Sequence, residues 1–334
     1  MMAYGPGSPR LWCPADQKPL APIERVTDRL AMTPLIIEAA LNGSTPKSRN
    51  PNVPRSPEEI TADSLTCLDA GAAIIHTHIE GFTLTGDLAV VDYMAGWQPV
   101  LAARPDALVY GTLAGAQSFD GRFGHYRALA RLGMRMGVID PGSVNLASHG
   151  DDGLPGKIRF VYQTSHDDIA GLMALHEEEA LGPSIAIYEP GYLRTVLAWY
   201  RAGRMPPGAF VKFYFGGPYN MLDGQRSNIT FGLPPTPMAL AAYREMMGDC
   251  DLPWAVTVLG GDVTSLGLAK IAIDQGGHVR VGLEDWGGEV LPPRNADLVA
   301  QVVELANAAG RPVADCATAA SILGLPTRKD HANR

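Results

Sequence analysis

Eight short apolar segments, each followed by a stretch carrying helix start and stop signals, recur along this chain, and no other feature narrows its fold as far. The apolar segments are 34–43, 72–81, 107–113, 134–140, 183–191, 209–217, 254–261 and 278–285. The helical stretches are 56–71, 87–103, 120–132, 166–181, 191–203, 236–247, 263–275 and 294–309. The first helix shows the pattern in full, with Ser56 as N-cap, Pro57 at the first helical position, Glu58 and Glu59 in the first turn and Gly71 at the end. Short apolar strands alternating with helices build a parallel sheet covered on its faces, because parallel strands are joined only through crossovers. Eight such units predict a (β/α)8 barrel, a fold that takes about 250 residues. Pro34 to Gly310 supplies 277. A doubly wound open sheet is the alternative, but no GxGxxG joins a strand to a helix, and GGDVTSLG (260–267) matches no dinucleotide fingerprint. Residues 1–32, rich in proline and polar residues, are expected to form an N-terminal extension, and 33–334 a single barrel domain.

Composition excludes several classes. Lysine and arginine number 27 against 35 acids, a net charge of −8, which argues against a general nucleic-acid binder. Cys13, Cys67, Cys250 and Cys316 lie far apart without a CxxC, so neither a zinc knuckle nor a disulfide framework is expected. Free thiols suit a reducing cytoplasm. No apolar run reaches the roughly 18–20 residues that span a bilayer, and the first 22 residues lack the apolar core of a secretory leader.

In a barrel, side chains at the C-terminal strand ends converge on one face. His76 and His78 end the second apolar segment, and residues i and i+2 of a strand share a face. Both imidazoles can therefore ligate zinc or another transition metal. Glu284 and Asp285 end the eighth segment. As neighbours they point different ways, so one can ligate a metal while the other acts as base, unless both sit in a solvated loop. Arg280 lies inside the same strand, where a guanidinium cannot lose its proton and must find an anion. Glu38 lies inside the first strand and needs a cation or donors. Strands one and eight adjoin in a closed barrel, so Arg280 is one partner for it, and an outward position against a helix is the alternative. Asn42, Ser44 and Thr45 end strand one, Thr112 ends strand three, and DPGSVN, beginning at Asp140, follows strand four. Their polar groups and backbone N–H groups can hold a carboxylate or oxyanion, although such sequences also make ordinary turns. His125, His149, His166, His176, His278 and His331 show no ligand spacing to the pair, and the aromatics of KFYFGGPYN (212–220) read as packing.

The combination of LNGSTPKSRNPNVPRSPEEITADSLTCLDAGAAIIHTHI and GGHVRVGLEDW resembles the β-keto acid cleavage enzymes, whose founding activity is 3-keto-5-aminohexanoate cleavage, over about Pro34 to Leu325. The resemblance implies a zinc-dependent (β/α)8 barrel, often a homotetramer, in which a β-keto acid and acetyl-CoA give acetoacetate and a new acyl-CoA. It implies His76, His78 and Glu284 as zinc ligands, Arg280 and Asp285 as the strand-eight catalytic pair, and Thr112 and Gly115 at the substrate. The chain departs from the pattern in several places. Glu80 stands one residue beyond the family's arginine after HxH and carries the opposite charge. Ala186 replaces the strand-five glutamate, Thr45 the glutamate that binds a substrate amino group, and Val138 a strand-four threonine. These changes speak against an amino-bearing substrate and suggest that Glu38 takes over the tuning of Arg280. The alternatives are a metal-dependent hydrolase or lyase without CoA, and a ligand-binding barrel that has lost turnover. Amidohydrolases carry HxH after strand one and need histidines on strands five and six, which are absent here.

Overall fold

The computed structural model describes residues 33–156, 161–220, 224–288 and 292–327. The extension expected over 1–32, with Cys13, and His331 lie outside the described residues. Eight parallel strands run β1 (Ile37–Ala40), β2 (Ile74–His76), β3 (Leu108–Tyr110), β4 (Met136–Ile139), β5 (Gly182–Ile187), β6 (Phe210–Gly216), β7 (Trp254–Leu259) and β8 (His278–Val281). Their order, β3-β2-β1-β8-β7-β6-β5-β4, pairs the first strand with the last. β3 and β4 stand side by side at the remaining seam, so the sheet is a nearly closed (β/α)8 barrel.

Helices α1 (Pro57–Ala70), α2 (Gly86–Ala103), α3 (Phe119–Phe123), α4 (His125–Leu132), α5 (His166–Glu179), α6 (Pro190–Arg201), α7 (Pro237–Met247), α8 (Leu268–Asp274), α9 (Asn295–Ala308) and α10 (Cys316–Leu323) complete the described chain. Ser56 and Glu59 form a full capping box at α1, and Ser165 and Asp168 another at α5. Strands β1, β5 and β7 are buried along their whole length, as expected where helices cover the outside and side chains fill the inside. β6 shows the two faces. Phe213 and Phe215 point outward onto Tyr243 of α7, the Phe213 ring stacking on it at 4.8 Å, while Lys212 and Tyr214 point into the barrel.

Three features of the helices stand apart from the sequence reading. The helix expected over 120–132 divides at Gly124, where a Cβ would collide with the Asp120 carbonyl, into α3 and α4. The helix expected from 263 begins at Leu268, because 263–267 form turns that end in left-handed Gly267. A tenth helix, α10, follows α9, capped by Asp315 and closed by left-handed Gly324. Among the described residues no helix is long and apolar enough to cross a membrane.

Candidate active site at the barrel mouth

β8 ends at Val281, four residues before the expected boundary, and that early end shapes the site. Gly282 adopts φ +143°, and any Cβ there would strike the backbone of Ala40 in β1. The chain can therefore turn hard against β1, with the Glu284 N–H donating to the Ala40 carbonyl at 3.2 Å and the Asp285 N–H to that of Gly282 at 3.1 Å. Glu284 and Asp285 thus leave a turn rather than a strand, and they diverge. Gly43 (φ +48°) makes the second allowance: its missing Cβ is the space that the Glu284 side chain occupies.

Glu284 meets the histidine pair. Its Oε2 is 3.4 Å from His76 Nε2 and its Oε1 is 3.4 Å from His78 Nε2. One ligand atom from each of the three residues lies within 4.8 Å of the others. Asn42 fixes the backbone that carries the second imidazole: the His78 N–H donates to its Oδ1 at 2.8 Å, and its Nδ2 donates to the His78 carbonyl at 2.9 Å and to that of Pro54 at 3.1 Å. Burial holds His76 well below the usual imidazole range against the pull of Glu284, so its ring is neutral, the form that ligates metal. Burial works against ionised Glu284, but Arg280, His76 and His78 outweigh it and hold the carboxyl well below its usual range. Its Oε2 is buried without a hydrogen bond. The neutral His76 imidazole, the His78 imidazole beside it and an ionised carboxylate with an orphaned buried oxygen fit a divalent cation with three protein ligands.

Beside this cluster, buried Arg280 joins three carboxylates. Its Nε and Nη2 donate to Asp285 Oδ2 and Oδ1 at 2.7 and 3.1 Å, its Nη1 to Glu38 Oε1 at 2.7 Å, and its Nη2 lies 3.0 Å from Glu284 Oε1. Thr257 of β7 donates to Asp285 Oδ2 at 2.8 Å. Burial pushes Asp285 above the usual carboxyl range, against Arg280. Glu38 faces into the barrel, opposite Arg280 in the β1–β8 register. Its Oε1 also accepts from Lys212 Nζ at 2.8 Å and the Tyr110 hydroxyl at 2.5 Å. Burial alone would raise the Glu38 carboxyl; Lys212 and Arg280 bring it down to about 2.

A family model described as beta-keto acid cleavage enzyme matches residues 34–325. The chain belongs to the beta-keto acid cleavage enzyme family. Membership makes it an acyl-transferring enzyme that cleaves carbon–carbon bonds. It is 28% identical over 300 residues to the 3-oxoadipate:acetyl-CoA acetyltransferase of Cupriavidus necator, covering 88% of this chain and 96% of the relative. It is 26% identical over 298 residues to the 3-keto-5-aminohexanoate cleavage enzyme of Acetoanaerobium sticklandii, covering 88% and 99%. Among solved structures, apo ObcA shares the fold with a TM-score of 0.60 at 17% identity, over 84% of this chain and 67% of the other.

The other residues singled out in the sequence of this family member scatter around the mouth. Thr45 is buried, and its hydroxyl donates to the Leu283 carbonyl at 2.9 Å, tying the β1 loop to the turn that carries Glu284. Ser44 is exposed and lines, with His78, a cavity of about 520 Å³. Thr112 lies near His78, its N–H donating to the Tyr93 hydroxyl at 2.9 Å, and Gly115 donates to the Phe82 carbonyl at 2.7 Å. Asp140 is buried; the Tyr162 hydroxyl donates to its Oδ2, its Oδ1 has no partner, and burial pushes it up to about 6.

Sequence reasoning missed Lys212, Tyr110, Thr257 and the positioning part of His125, whose Nε2 contacts the Thr112 carbonyl at 3.0 Å. Lys212 was within reach of the argument applied to Arg280, since an ammonium inside an apolar strand also needs an anion. Tyr110 and Thr257 are common strand residues and carry no such signal.

Proposed function

We propose that the protein exchanges the acyl groups of a small β-keto acid and acetyl-CoA, giving acetoacetate and a new acyl-CoA, at a site where His76, His78 and Glu284 hold a divalent cation, zinc by resemblance. The observation that carries this reading is the placement of a three-ligand cluster against an Arg280–Asp285 pair in one buried network. The names of the two relatives support it, one an acetyl-CoA acetyltransferase and the other a keto acid cleavage enzyme. When bound, the cation would polarise the substrate ketone as a Lewis acid.

The protein's own groups supply the rest. Asp285 is the base: its Oδ1 accepts one bond from Arg280, and burial favours proton uptake. It removes a proton from the carbon between ketone and carboxylate. That carbanion attacks the thioester carbonyl and CoA leaves as thiolate. The thiolate then attacks the original ketone carbon, the adjoining carbon–carbon bond breaks, and the proton on Asp285 returns to the acetoacetate carbon. Arg280 orients Asp285, and Glu38 with Lys212 and Tyr110 holds Arg280 in place of the strand-five carboxylate that Ala186 lacks. Thr112, Gly115, Asp140 and Ser44 line the substrate's place, and Asn42 and Thr45 hold the loops that shape it. Thr45, bonded to a backbone carbonyl, offers no anion to an amino group. The reading includes a single barrel domain over 33–334 in a cytoplasmic homotetramer; free, buried Cys67, Cys250 and Cys316 support the reducing compartment.

The test is to incubate purified protein with acetyl-CoA and a panel of β-keto acids, with and without chelator. Acetoacetate that forms only with the thioester, and that chelator and His76→Ala both abolish, is the expected result. Product without CoA would replace this reading with a hydrolase or lyase, and no product across the panel would leave a binding barrel.

A further inference from the structure

Among the described residues, the mouth loops 77–85, 111–118, 188–189 and 260–267 contain no lysine or arginine. The β1–α1 loop, 41–56, contains Lys47, Arg49 and Arg55 and no acid. Arg226 in 217–236 and Arg294 in 282–294 are further described cations of the mouth loops, each in a loop that also carries an acid, so in a chain of net charge −8 the loop 41–56 is a strongly basic sector of the mouth. The cavity of about 520 Å³ lies against it, lined by Pro46, Lys47 and Arg55 from this loop and by His78, Ile79, Glu80 and Phe82 from the loop after β2. Its lining thus combines a residue of the reacting centre, apolar side chains and two cations, with Glu80 beside Arg55.

We propose that this cavity is the acetyl-CoA subsite, with the thioester at His78, the pantetheine arm against Ile79, Phe82 and Pro46, and the phosphates on Lys47 and Arg55. The inference rests on the proposed acyl exchange and adds the location of its co-substrate. Both cations are prepared for an anion. Arg55 is held by donation to the carbonyls of Gly43, at 3.2 Å, and Thr45, and its Nη1 stands 3.6 Å from Glu80. The Glu80 side chain is 69% exposed, and Lys47 pairs with Glu59 at 2.5 Å with both side chains close to half exposed. Exposed ion pairs of this kind are worth little, so Lys47 and Arg55 can leave their carboxylates for a phosphate while Glu59 stays in its capping box. Glu80, the residue of opposite charge to the family's arginine, lowers the pull of this sector on phosphate.

The experiment compares acetyl-CoA with acetyl-pantetheine, which lacks the phosphates, in the acetoacetate assay. The wild-type protein is expected to show a lower KM for acetyl-CoA, with an advantage that shrinks as salt rises. Lys47→Glu should reduce the ratio of the two KM values roughly tenfold, the scale of reversing one charge contact to an anion. Glu80→Gln should raise that ratio by about threefold, a gain that misfolding cannot produce. Lys270→Ala, which removes an exposed cation from α8 outside the cavity, serves as the charge control. Equal KM values for both thioesters in the wild type, or ratios unmoved by Lys47→Glu and Glu80→Gln, would overturn the subsite while leaving the acyl exchange standing. Failure of the wild type with every thioester would instead remove the reaction on which it rests.

Discussion

Replacing Glu38 by glutamine tests whether the barrel interior is held by the charge network around Arg280. Glu38 Oε1 accepts from Arg280, Lys212 and Tyr110, and all four residues are buried. Its carboxyl stands at about 2 in the folded protein against 4.5 for the free group. That difference, at roughly 1.4 kcal/mol per unit, corresponds to about 3 kcal/mol favouring the folded state when Glu38 is ionised. Removing one partner from a buried ion pair costs about 3–5 kcal/mol in general, which agrees. The sign follows from the lowered pKa: the contribution is complete above about pH 4.5 and is lost as pH falls toward 2. Urea unfolding at pH 7 should therefore show Glu38→Gln less stable by about 3 kcal/mol, with the gap narrowed by about 2 kcal/mol at pH 3. The double variant Glu38→Leu with Lys212→Met should lose less than Glu38→Leu alone, because it strands one fewer charge. A gap below about 1 kcal/mol at pH 7, or one unchanged at pH 3, would refute the assignment of Glu38 as the network's central anion.

Three further outcomes are expected. Gly43→Ala places a methyl where Glu284 lies, so the folded protein should lose most of its bound metal after dialysis, read by elemental analysis; full occupancy would show that Glu284 needs no such space. Asp285→Asn should retain metal and, through its one remaining oxygen, a single Arg280 contact, yet lose at least about 10²-fold in kcat, the scale of a general base, and a near-normal rate would remove Asp285 from that role. Asp140 is raised from 3.8 to about 6, so stability linked to it is full below about pH 3.8 and declines as pH rises through 6. Asp140→Asn should therefore gain up to about 3 kcal/mol over the wild type at pH 8 and little at pH 4, and equal gaps at both pH values in urea unfolding would contradict the buried, half-bonded carboxyl.

The barrel and the meeting of His76 with His78 were legible in the sequence for different reasons. The fold followed from a repeated local pattern, since eight alternations of buried strand and capped helix admit few arrangements. His76 and His78 were legible because strand geometry sends residues two apart to one face, a property needing no tertiary information. The strand-end reading offered Glu284 or Asp285 as a ligand and the family resemblance chose Glu284, while its position came from a turn that Gly282 permits against Ala40 and that Gly43 leaves open. Those two allowances depend on atoms 240 residues apart in the chain, and no local pattern reports them. The same limit explains Glu38. Its sequence showed a carboxylate in need of a partner, while only closure of β1 on β8, with β6 across the barrel, decided that Arg280 and Lys212 answer that need. Local sequence determines which groups must be satisfied, because burial cost is a property of the group; the folded barrel determines by whom, because that depends on which strands close on which.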